Sequence, residues 1–171
     1  EVLAARKSKV QSWYLDLTML HSYWGKERFY HHTAPINMIY ALYESLRIIR
    51  EEGLERRYER HLLHSRAFGA GVTAMGLRLF AQDGYRAPML MAVAIPEGVD
   101  DAAVRRYLLS NYRLEIGGGL GPLKGRIWRV GLMGHSCNSE NVVLLLAGLE
   151  GALAAQGVPV ERGAGIEAAR E

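Results

Sequence analysis

Apolar residues recur every three or four positions along two neighbouring stretches of the chain, which is the spacing of one face of a helix. The first stretch consists of Ile36, Ile39, Leu42, Leu46 and Ile49. The second consists of Leu54, Tyr58, Leu62, Ser65, Phe68, Val72 and Met75. We therefore expect one helix that stops near Gly53, and a second that ends at Gly76, a glycine well placed as a C-terminal cap.

From Leu77 onward the pattern changes to short β-type runs separated by turns. Strands are expected at residues 77–80, 89–95, 113–116 and 126–132, and helices at 101–110 and 140–155. Asp100 or Asp101 can cap the first of these helices, and Asn138 or Ser139 the second. Short strands in such close succession favour an α+β fold, with a small, mostly antiparallel sheet covered by helices.

The alternation within residues 126–132 gives Arg129 a distinctive position. The face expected to meet the core carries Trp128, Val130 and Leu132. The opposite face carries Ile127, Arg129 and Gly131. A guanidinium held there, beside a glycine, can bind a carboxylate through two parallel hydrogen bonds. Pairing with a neighbouring acidic side chain explains the same position equally well.

Composition narrows the classes of protein to consider. The 171 residues are 49% hydrophobic and 23% charged, as in globular proteins, and no run approaches the ~18 apolar residues of a membrane helix. A single cysteine, Cys137, cannot form an internal disulfide, so we expect a cytoplasmic protein. The net charge of +3 accompanies no nucleic-acid motif, so neither nucleic acid nor membrane is an expected partner.

Charge is unevenly distributed along the chain. Residues 44–66 contain six arginines and five glutamates, a mixture typical of a solvated, salt-bridged helix surface. Basic residues prevail over residues 113–129, beside a glycine-rich loop at 117–121, and this combination can attract a small anion. The glycines complete neither the Rossmann nor the Walker pattern, so we expect them to form a tight loop.

Further candidate chemistry lies just before the first helix and within the second. Tyr30-His31-His32-Thr33 precedes a helix N-terminus, where a phosphate is favoured, although spacing alone favours Thr33 as a simple cap and the histidines as packing or surface residues. His61 and His64 share a helix side, but no third metal ligand can be assigned, so no metal site is expected. The Cys137 thiol lies near a helix start, but a lone cysteine is more often inert.

Five short strings occur together in a fixed order. They are Tyr30-His31-His32-Thr33-Ala34-Pro35, Glu52-Gly53-Leu54-Glu55, Gly118-Gly119-Leu120-Gly121-Pro122, Trp128-Arg129-Val130-Gly131-Leu132-Met133-Gly134 and Glu140-Asn141-Val142. In this order and at these separations they closely resemble the class V pyridoxal-phosphate aminotransferases, nearest the alanine:glyoxylate and serine:pyruvate branch. The resemblance covers residues from about 10 to 155.

The resemblance implies roles for particular residues. It assigns Arg129 to the substrate carboxylate, in agreement with the strand argument, and Tyr30 and Thr33 to the cofactor phosphate across a homodimer interface. It places Gly118, Gly119 and Gly121 in a loop near the active-site mouth. The implied cofactor is pyridoxal 5'-phosphate, and the implied reaction moves an amino group from alanine or serine to glyoxylate or pyruvate.

The chain departs from the family pattern at the Schiff-base lysine. The family's lysine lies in a string of small residues ahead of Pro-Pro-Gly, and none of Lys7, Lys9, Lys26 and Lys124 has those surroundings. We therefore expect the C-terminal portion of an enzyme, inactive by itself. Residues 1–53 would end the large cofactor domain, 54–76 form a linking helix, 77–156 a small α/β domain and 157–171 a flexible tail.

Two alternatives remain open. Ureidoglycine:glyoxylate, aminoethylphosphonate and other class V enzymes share much of this pattern, so the amino donor is not fixed. A non-enzymatic interaction or dimerisation module would also explain a self-contained set of strands and helices after Leu77.

Overall fold

The structure is a computed structural model that describes residues 1–170. The chain divides into two compact units, one of residues 1–48 and one that begins at residue 49. No helix within residues 1–170 is long and apolar enough to cross a membrane.

The first unit is built from short helical pieces. It contains a 3-10 turn at Trp13–Leu15, helix α1 at Leu17–Trp24 and most of helix α2 at Ile36–Glu52. Asp16 caps α1 by accepting a hydrogen bond from the Thr18 backbone N–H. The apolar face expected on α2 is present in the sequence, but none of its side chains is buried.

The second unit is an α+β fold around one antiparallel sheet, as the strand pattern predicts. Its helices are α3 at Leu54–Ala74, α4 at Asp101–Tyr112, α5 at Ser139–Ala154 and α6 at Ala164–Ala168. Its strands are β1 at Arg78–Leu79, β2 at Leu90–Ala94, β3 at Gly117–Gly118 and β4 at Ile127–Gly131. The strand order is β1-β2-β4-β3, and every neighbouring pair is antiparallel.

One face of the sheet packs against helices to form the core. Val93 of β2 lies opposite Trp128 of β4 on this face, and both are buried together with Phe68 of α3 and Leu146 of α5. The run from Val142 to Ala147, apolar nearly all round, fits the largely buried position of α5. The core face of the sheet is therefore the one that the alternation in β4 predicts.

The predicted position of the third strand, residues 113–116, is wrong by a few residues. Arg113 adopts a left-handed conformation, with φ of 54°, that ends α4, and the strand forms instead at Gly117–Gly118. Glycine has a low strand propensity, so a sequence pattern assigns this pair to a loop. Because neither glycine has a side chain, the Arg129 guanidinium of β4 lies close over Gly117, and the Asp101 and Arg105 side chains of α4 lie over Gly118.

Residues 157–170, which the sequence predicts as a flexible tail, include helix α6 at Ala164–Ala168. Helix α6 packs against α3, and Gly165 is buried beside Gly71. A Cβ atom on Gly71 would lie 2.7 Å from the Gly165 carbonyl oxygen. The glycines that suggest fraying therefore serve to bring two helix backbones close together.

Candidate functional site

Arg129 lies at the middle of β4, between two residues with little or no side chain. It pairs with Ala92 of β2 on one side and with Gly117 of β3 on the other. Trp128, on the opposite face, is buried as expected, whereas Arg129 is only half-buried. Ile127 shares the face of Arg129 but is 4% exposed, so this face is partly covered.

The Arg129 guanidinium is fixed by the backbone of β3. Its Nε donates a hydrogen bond of 2.8 Å to the Gly118 carbonyl oxygen. A Cβ atom on Gly117 would lie 3.2 Å from the Arg129 Nη2 atom, so the guanidinium lies across the space that this glycine leaves free. Within residues 1–170, Arg129 takes part in no ion pair, which removes the acidic-neighbour explanation of its position.

The hydrogen bond at Nε determines which donors of Arg129 remain available. A guanidinium has five N–H groups, of which the four on Nη1 and Nη2 are left when Nε–H is engaged. The two terminal nitrogens can each donate one hydrogen bond to one carboxylate, which orients the anion as well as attracting it. The arrangement suits a small carboxylate that approaches the guanidinium end-on.

The glycine loop that follows β3 is tight, as expected. The Gly119 N–H donates to the Ile127 carbonyl at 2.9 Å, and a Cβ atom on Gly119 would overlap the Leu123 carbonyl. Gly121, with φ of +52°, begins a 3-10 turn at Gly121–Leu123. The loop therefore holds β3 firmly beside β4.

A polar cluster on the core side of β3 was not anticipated from the sequence. The Trp128 Nε1–H donates to Asp101 Oδ1 at 3.0 Å, and Arg105 donates to both carboxylate oxygens at 2.9 and 3.1 Å. The ion pair with Arg105 lowers the pKa of Asp101, so this carboxyl stays ionised. From the sequence, only the ion pair between Asp101 and Arg105 could have been predicted, because the two residues lie four positions apart on a helix.

A second unanticipated cluster joins the start of α3 to the loop after β4. Glu52 accepts hydrogen bonds from Arg60 at 2.6 Å and Arg57 at 2.8 Å, and Arg60 also donates to the backbone carbonyls of Gly134 and Cys137. These arginine contacts lower the pKa of Glu52 to about 2. The salt bridges predicted for residues 44–66 are present here, but these three side chains are only 20–27% exposed, so the description of that region as solvated is wrong for them.

His61 and Cys137, two further candidates from the sequence, lie in the second unit. His61 donates from Nδ1 to the Arg57 carbonyl at 2.7 Å and accepts at Nε2 from the Gly134 N–H at 3.1 Å. Burial raises the pKa of the Cys137 thiol, so this group is not acidified. No group of three or more metal-binding side chains occurs within residues 1–170.

Tyr30 and Thr33 lie together in the first unit. The Tyr30 hydroxyl and Thr33 Oγ1 are 2.8 Å apart, both residues are exposed, and α2 begins three residues after Thr33. His31 is buried at 7% exposed and is anchored through its Nε2 to the Trp13 carbonyl at 2.8 Å. Two neighbouring hydroxyls before a helix of this length are suitable donors for a phosphate.

Comparison with known proteins connects these features to a family. No family model matches the chain. The chain is 47% identical over 160 residues to (S)-ureidoglycine--glyoxylate transaminase of Bacillus subtilis (strain 168), which covers 94% of the chain and 38% of that protein. The crystal structure of the ureidoglycine-glyoxylate aminotransferase from Bacillus subtilis superimposes with a TM-score of 0.93, over 98% of this chain and 43% of that one.

Two alanine--glyoxylate aminotransferases are also similar. The crystal structure of the one from Nostoc sp. shares 48% identity and a TM-score of 0.83, over 88% of this chain and 40% of that chain. The one from Callithrix jacchus is 40% identical over 153 residues, covering 87% of this chain and 37% of that protein.

The fold and the relatives together define a segment of a pyridoxal-phosphate-type aminotransferase. The chain belongs to the class V aminotransferase family. It spans about 40% of the length of the curated relatives that it matches.

Proposed function

We propose that this chain is the part of a pyridoxal-phosphate-dependent aminotransferase that binds the substrate carboxylate. The whole protein then moves an amino group from a small amino acid, alanine or serine, to glyoxylate or pyruvate. The observation that carries the proposal is the Arg129 guanidinium, whose Nε is bound to Gly118 while its two terminal nitrogens have no ion-pair partner within residues 1–170. The similarity to enzymes named for glyoxylate supports the same substrate class.

Arg129 acts by positioning the substrate. Its two Nη atoms bind the carboxylate of the amino acid or keto acid, which leaves the α-carbon substituent at one fixed distance and angle from the guanidinium. The rigid strand and the hydrogen bond to the Gly118 carbonyl limit the freedom of the side chain before the substrate arrives. Less entropy is therefore lost on binding than with a mobile arginine.

Tyr30 and Thr33 fit the role of holding the cofactor phosphate of the other subunit in a homodimer. Their two neighbouring hydroxyls can donate hydrogen bonds to phosphate oxygens, and the N-terminus of α2 favours negative charge nearby. When bound, pyridoxal phosphate supplies an electron sink for the substrate's α-carbon. This chain contributes hydrogen-bond donors, substrate orientation and dimer surface, and we assign none of its lysines to covalent catalysis.

The proposal includes a division of labour along the chain. Residues 1–53 belong with the cofactor domain, residues 54–76 link, and residues 77–156 form the small domain that presents Arg129. The Schiff-base lysine comes from another part of the protein. We also place this enzyme in the cytoplasm, because a single cysteine cannot form an internal disulfide that would need an oxidising compartment.

A second amino donor has specific support. The Bacillus subtilis relative with 47% identity is named for ureidoglycine and glyoxylate, so ureidoglycine is the alternative donor. Glyoxylate as acceptor is common to both versions of the proposal.

A chimeric enzyme tests the proposal. The matched segment of the Bacillus subtilis relative is replaced by this chain, and transfer from alanine, serine or ureidoglycine to glyoxylate is measured. Arg129→Ala should raise the KM for the amino acid strongly, because loss of a paired charge of this kind costs on the order of 2 to 5 kcal/mol.

Arg126→Ala is the matched control, since Arg126 is an exposed arginine three residues away. It should leave KM within about twofold of the parent chimera, in keeping with a surface substitution. A chimera that folds and binds the cofactor, yet keeps its KM when Arg129 is removed, contradicts the assignment. A chimera without any transferase activity would favour the interaction-module alternative.

A further inference from the structure

We propose that Asp101 is a positioning residue for Arg129: together with Trp128 and Arg105 it holds β3 in place, so that the guanidinium is presented end-on to the carboxylate. The functional meaning of this role rests on the proposed substrate binding by Arg129. The positioning of Arg129 by Asp101 is argued only from contacts between residues of the second unit.

Asp101 is connected through Trp128 to β4, the strand that bears Arg129. Trp128 immediately precedes Arg129, is completely buried, and donates from Nε1 to Asp101 Oδ1 at 3.0 Å. A buried indole N–H has one donor and needs one acceptor, so Asp101 fixes the rotation of this ring. Arg105, through two hydrogen bonds, keeps the Asp101 carboxylate itself in one orientation.

Asp101 also lies over β3, on the side of Gly118 that faces the core. In the sheet register Gly118 lies opposite Trp128, and Gly117 lies opposite Arg129. A Cβ atom on Gly118 would lie 3.4 Å from Asp101 Oδ2 and 3.6 Å from Arg105 Nε, so this ion pair lies over the core side of Gly118 with room for a methyl group between them. The strand thus lies between the ion pair on its core face and the Arg129 guanidinium on the other face, and Asp101 acts on it through Trp128, its partner in the sheet.

The position of β3 determines which hydrogen-bond donors of Arg129 are free. The Gly118 carbonyl accepts from Arg129 Nε at 2.8 Å, and this is what leaves the two terminal nitrogens as the available pair of donors. If β3 moves away, Nε–H is released, and a carboxylate can then bind either at the end or at the side of the guanidinium. Asp101 therefore selects one of two binding geometries without touching the substrate.

Side-chain NMR on the 171-residue chain tests this directly, with the exposed Leu42 and Leu46 replaced by glutamine in every sample to limit self-association. The Arg129 Nε–H and Trp128 Nε1–H groups each give one ¹H–¹⁵N signal, and exchange of the Arg129 Nε–H with water reports its hydrogen bond to Gly118. In Asp101→Ala we expect this exchange to accelerate at least about tenfold, and the Trp128 signal to shift. In Asp101→Asn, which keeps an oxygen for Trp128 but loses the ion pair with Arg105, an intermediate acceleration is expected.

Asp83→Ala is the control, because its side chain is 91% exposed and its ion pair with Arg86 lies elsewhere. This variant should leave both signals unchanged. Unchanged exchange at Arg129 in both Asp101 variants, each shown to be folded by its amide spectrum, would overturn the positioning role. If Asp101→Ala does not fold, Asp101→Asn alone decides by the same criterion.

Titration with sodium pyruvate at constant ionic strength separates this inference from the proposed function. If pyruvate shifts the Arg129 Nη signals of the wild-type chain, the Asp101 variants should bind it at least about fivefold more weakly, and a matching affinity would count against the inference. If pyruvate fails to bind the wild-type chain while the variants still show accelerated Nε–H exchange, the proposed function fails and the positioning of Arg129 stands.

Discussion

At the scale of single residues, the site depends on what is missing beside Arg129. Gly117 and Ala92 flank it in the sheet, and neither has a side chain large enough to lift the guanidinium away from the strands. Only a glycine at position 117 leaves the Nη2 atom its present place. The absence of a side chain is therefore as important here as the charge of the arginine.

Gly117→Ala is expected to weaken carboxylate binding with little effect on folding. The new Cβ atom would lie 3.2 Å from Arg129 Nη2, so the guanidinium must shift by a few tenths of an ångström. We expect the dissociation constant for pyruvate, measured by NMR titration, to rise about three- to tenfold, because aligned bidentate bonds depend on geometry.

Gly131→Ala is the matched control for that substitution. Gly131 lies on the same face of β4, and a Cβ atom there would meet the Met133 methyl group at 3.3 Å, which is the flexible end of a side chain. Equal effects of the two substitutions would show that the space beside Arg129 is not what matters.

At the scale of elements, Glu52 and Arg60 fasten the junction of α2 and α3 to the loop after β4. Arg60 donates to the carbonyl oxygens of Gly134 and Cys137, while both oxygens of Glu52 hold Arg60 in place. The Gly134 N–H is in turn bound to His61. This cluster fixes the connection through which β4 leads into α5.

The Glu52 cluster predicts a defined pH dependence. The folded protein holds the pKa of Glu52 at about 2, below its ordinary 4.5, so the unfolded chain binds the proton more readily. The stabilisation is fully present above pH 4.5 and is lost as the pH falls toward 2. The difference in free energy of unfolding between wild type and Glu52→Gln, from urea titrations, should therefore shrink steadily from pH 5 to about pH 3. A difference that stays constant over this range would contradict the assignment.

Helix α6 provides a second prediction at this scale. Because α6 covers Gly71 and Met75 of α3, a chain that ends after Gly157 exposes part of the core. We expect a loss of about 2 to 4 kcal/mol in the free energy of unfolding, on the scale of large core truncations. Chemical denaturation measures it, and an unchanged midpoint would restore the original expectation of a loose tail.

The elements differ in how well the sequence predicts them. Helix α3 and strand β4 are clear from local spacing, and Asp100 and Asn138 cap α4 and α5 as residues of their type commonly do. Strand β3 was placed a few residues too early because it consists of two glycines, and helix α6 was missed because it is only five residues long and follows Gly163. Their conformations are determined by contacts with Arg129 and α3, which no local pattern contains.

The candidate site was predictable only in part. The alternation in β4 identified Arg129, whereas its hydrogen bond to Gly118 and the Asp101 cluster join positions 11 and 27 residues apart in sequence. A single sequence records which residue types occur, and it does not record which of them meet. The same applies to Glu52 and Arg60, whose charges look like those of any exposed helix.

At the scale of the whole molecule, the most prominent feature is the exposed apolar surface of α2. Leu46 is 55% exposed, and the other large apolar side chains exposed on this helix are Ile36, Met38, Ile39, Tyr40, Leu42, Tyr43 and Ile48. Such a surface is typical of a face that another chain or domain covers. This agrees with the proposal that the chain works as part of a larger, dimeric enzyme.

We therefore expect the isolated 171-residue chain to bind a hydrophobic dye and to self-associate as its concentration rises. Replacing Leu42 and Leu46 together by glutamine should reduce both effects by more than half, because it removes apolar area from the centre of the α2 face. Leu120→Gln, at an exposed leucine on the glycine loop, is the control and should change neither. Sedimentation velocity that finds only monomer, without dye binding, would argue against a covered α2.

The central claim is that the Nη atoms of Arg129 bind the carboxylate of a small keto acid or amino acid. The most direct measurement is a guanidinium-selective ¹H–¹⁵N titration of the 171-residue chain, with Leu42 and Leu46 replaced by glutamine to limit self-association. Sodium pyruvate is the ligand, and sodium chloride at matched ionic strength is the reference. We predict a saturable shift of the Arg129 Nη signals, little change at its Nε, and loss of the saturable response in Arg129→Lys, whose single ammonium cannot form two parallel bonds. Equal, non-saturating shifts at Arg129 and Arg126 would contradict the account.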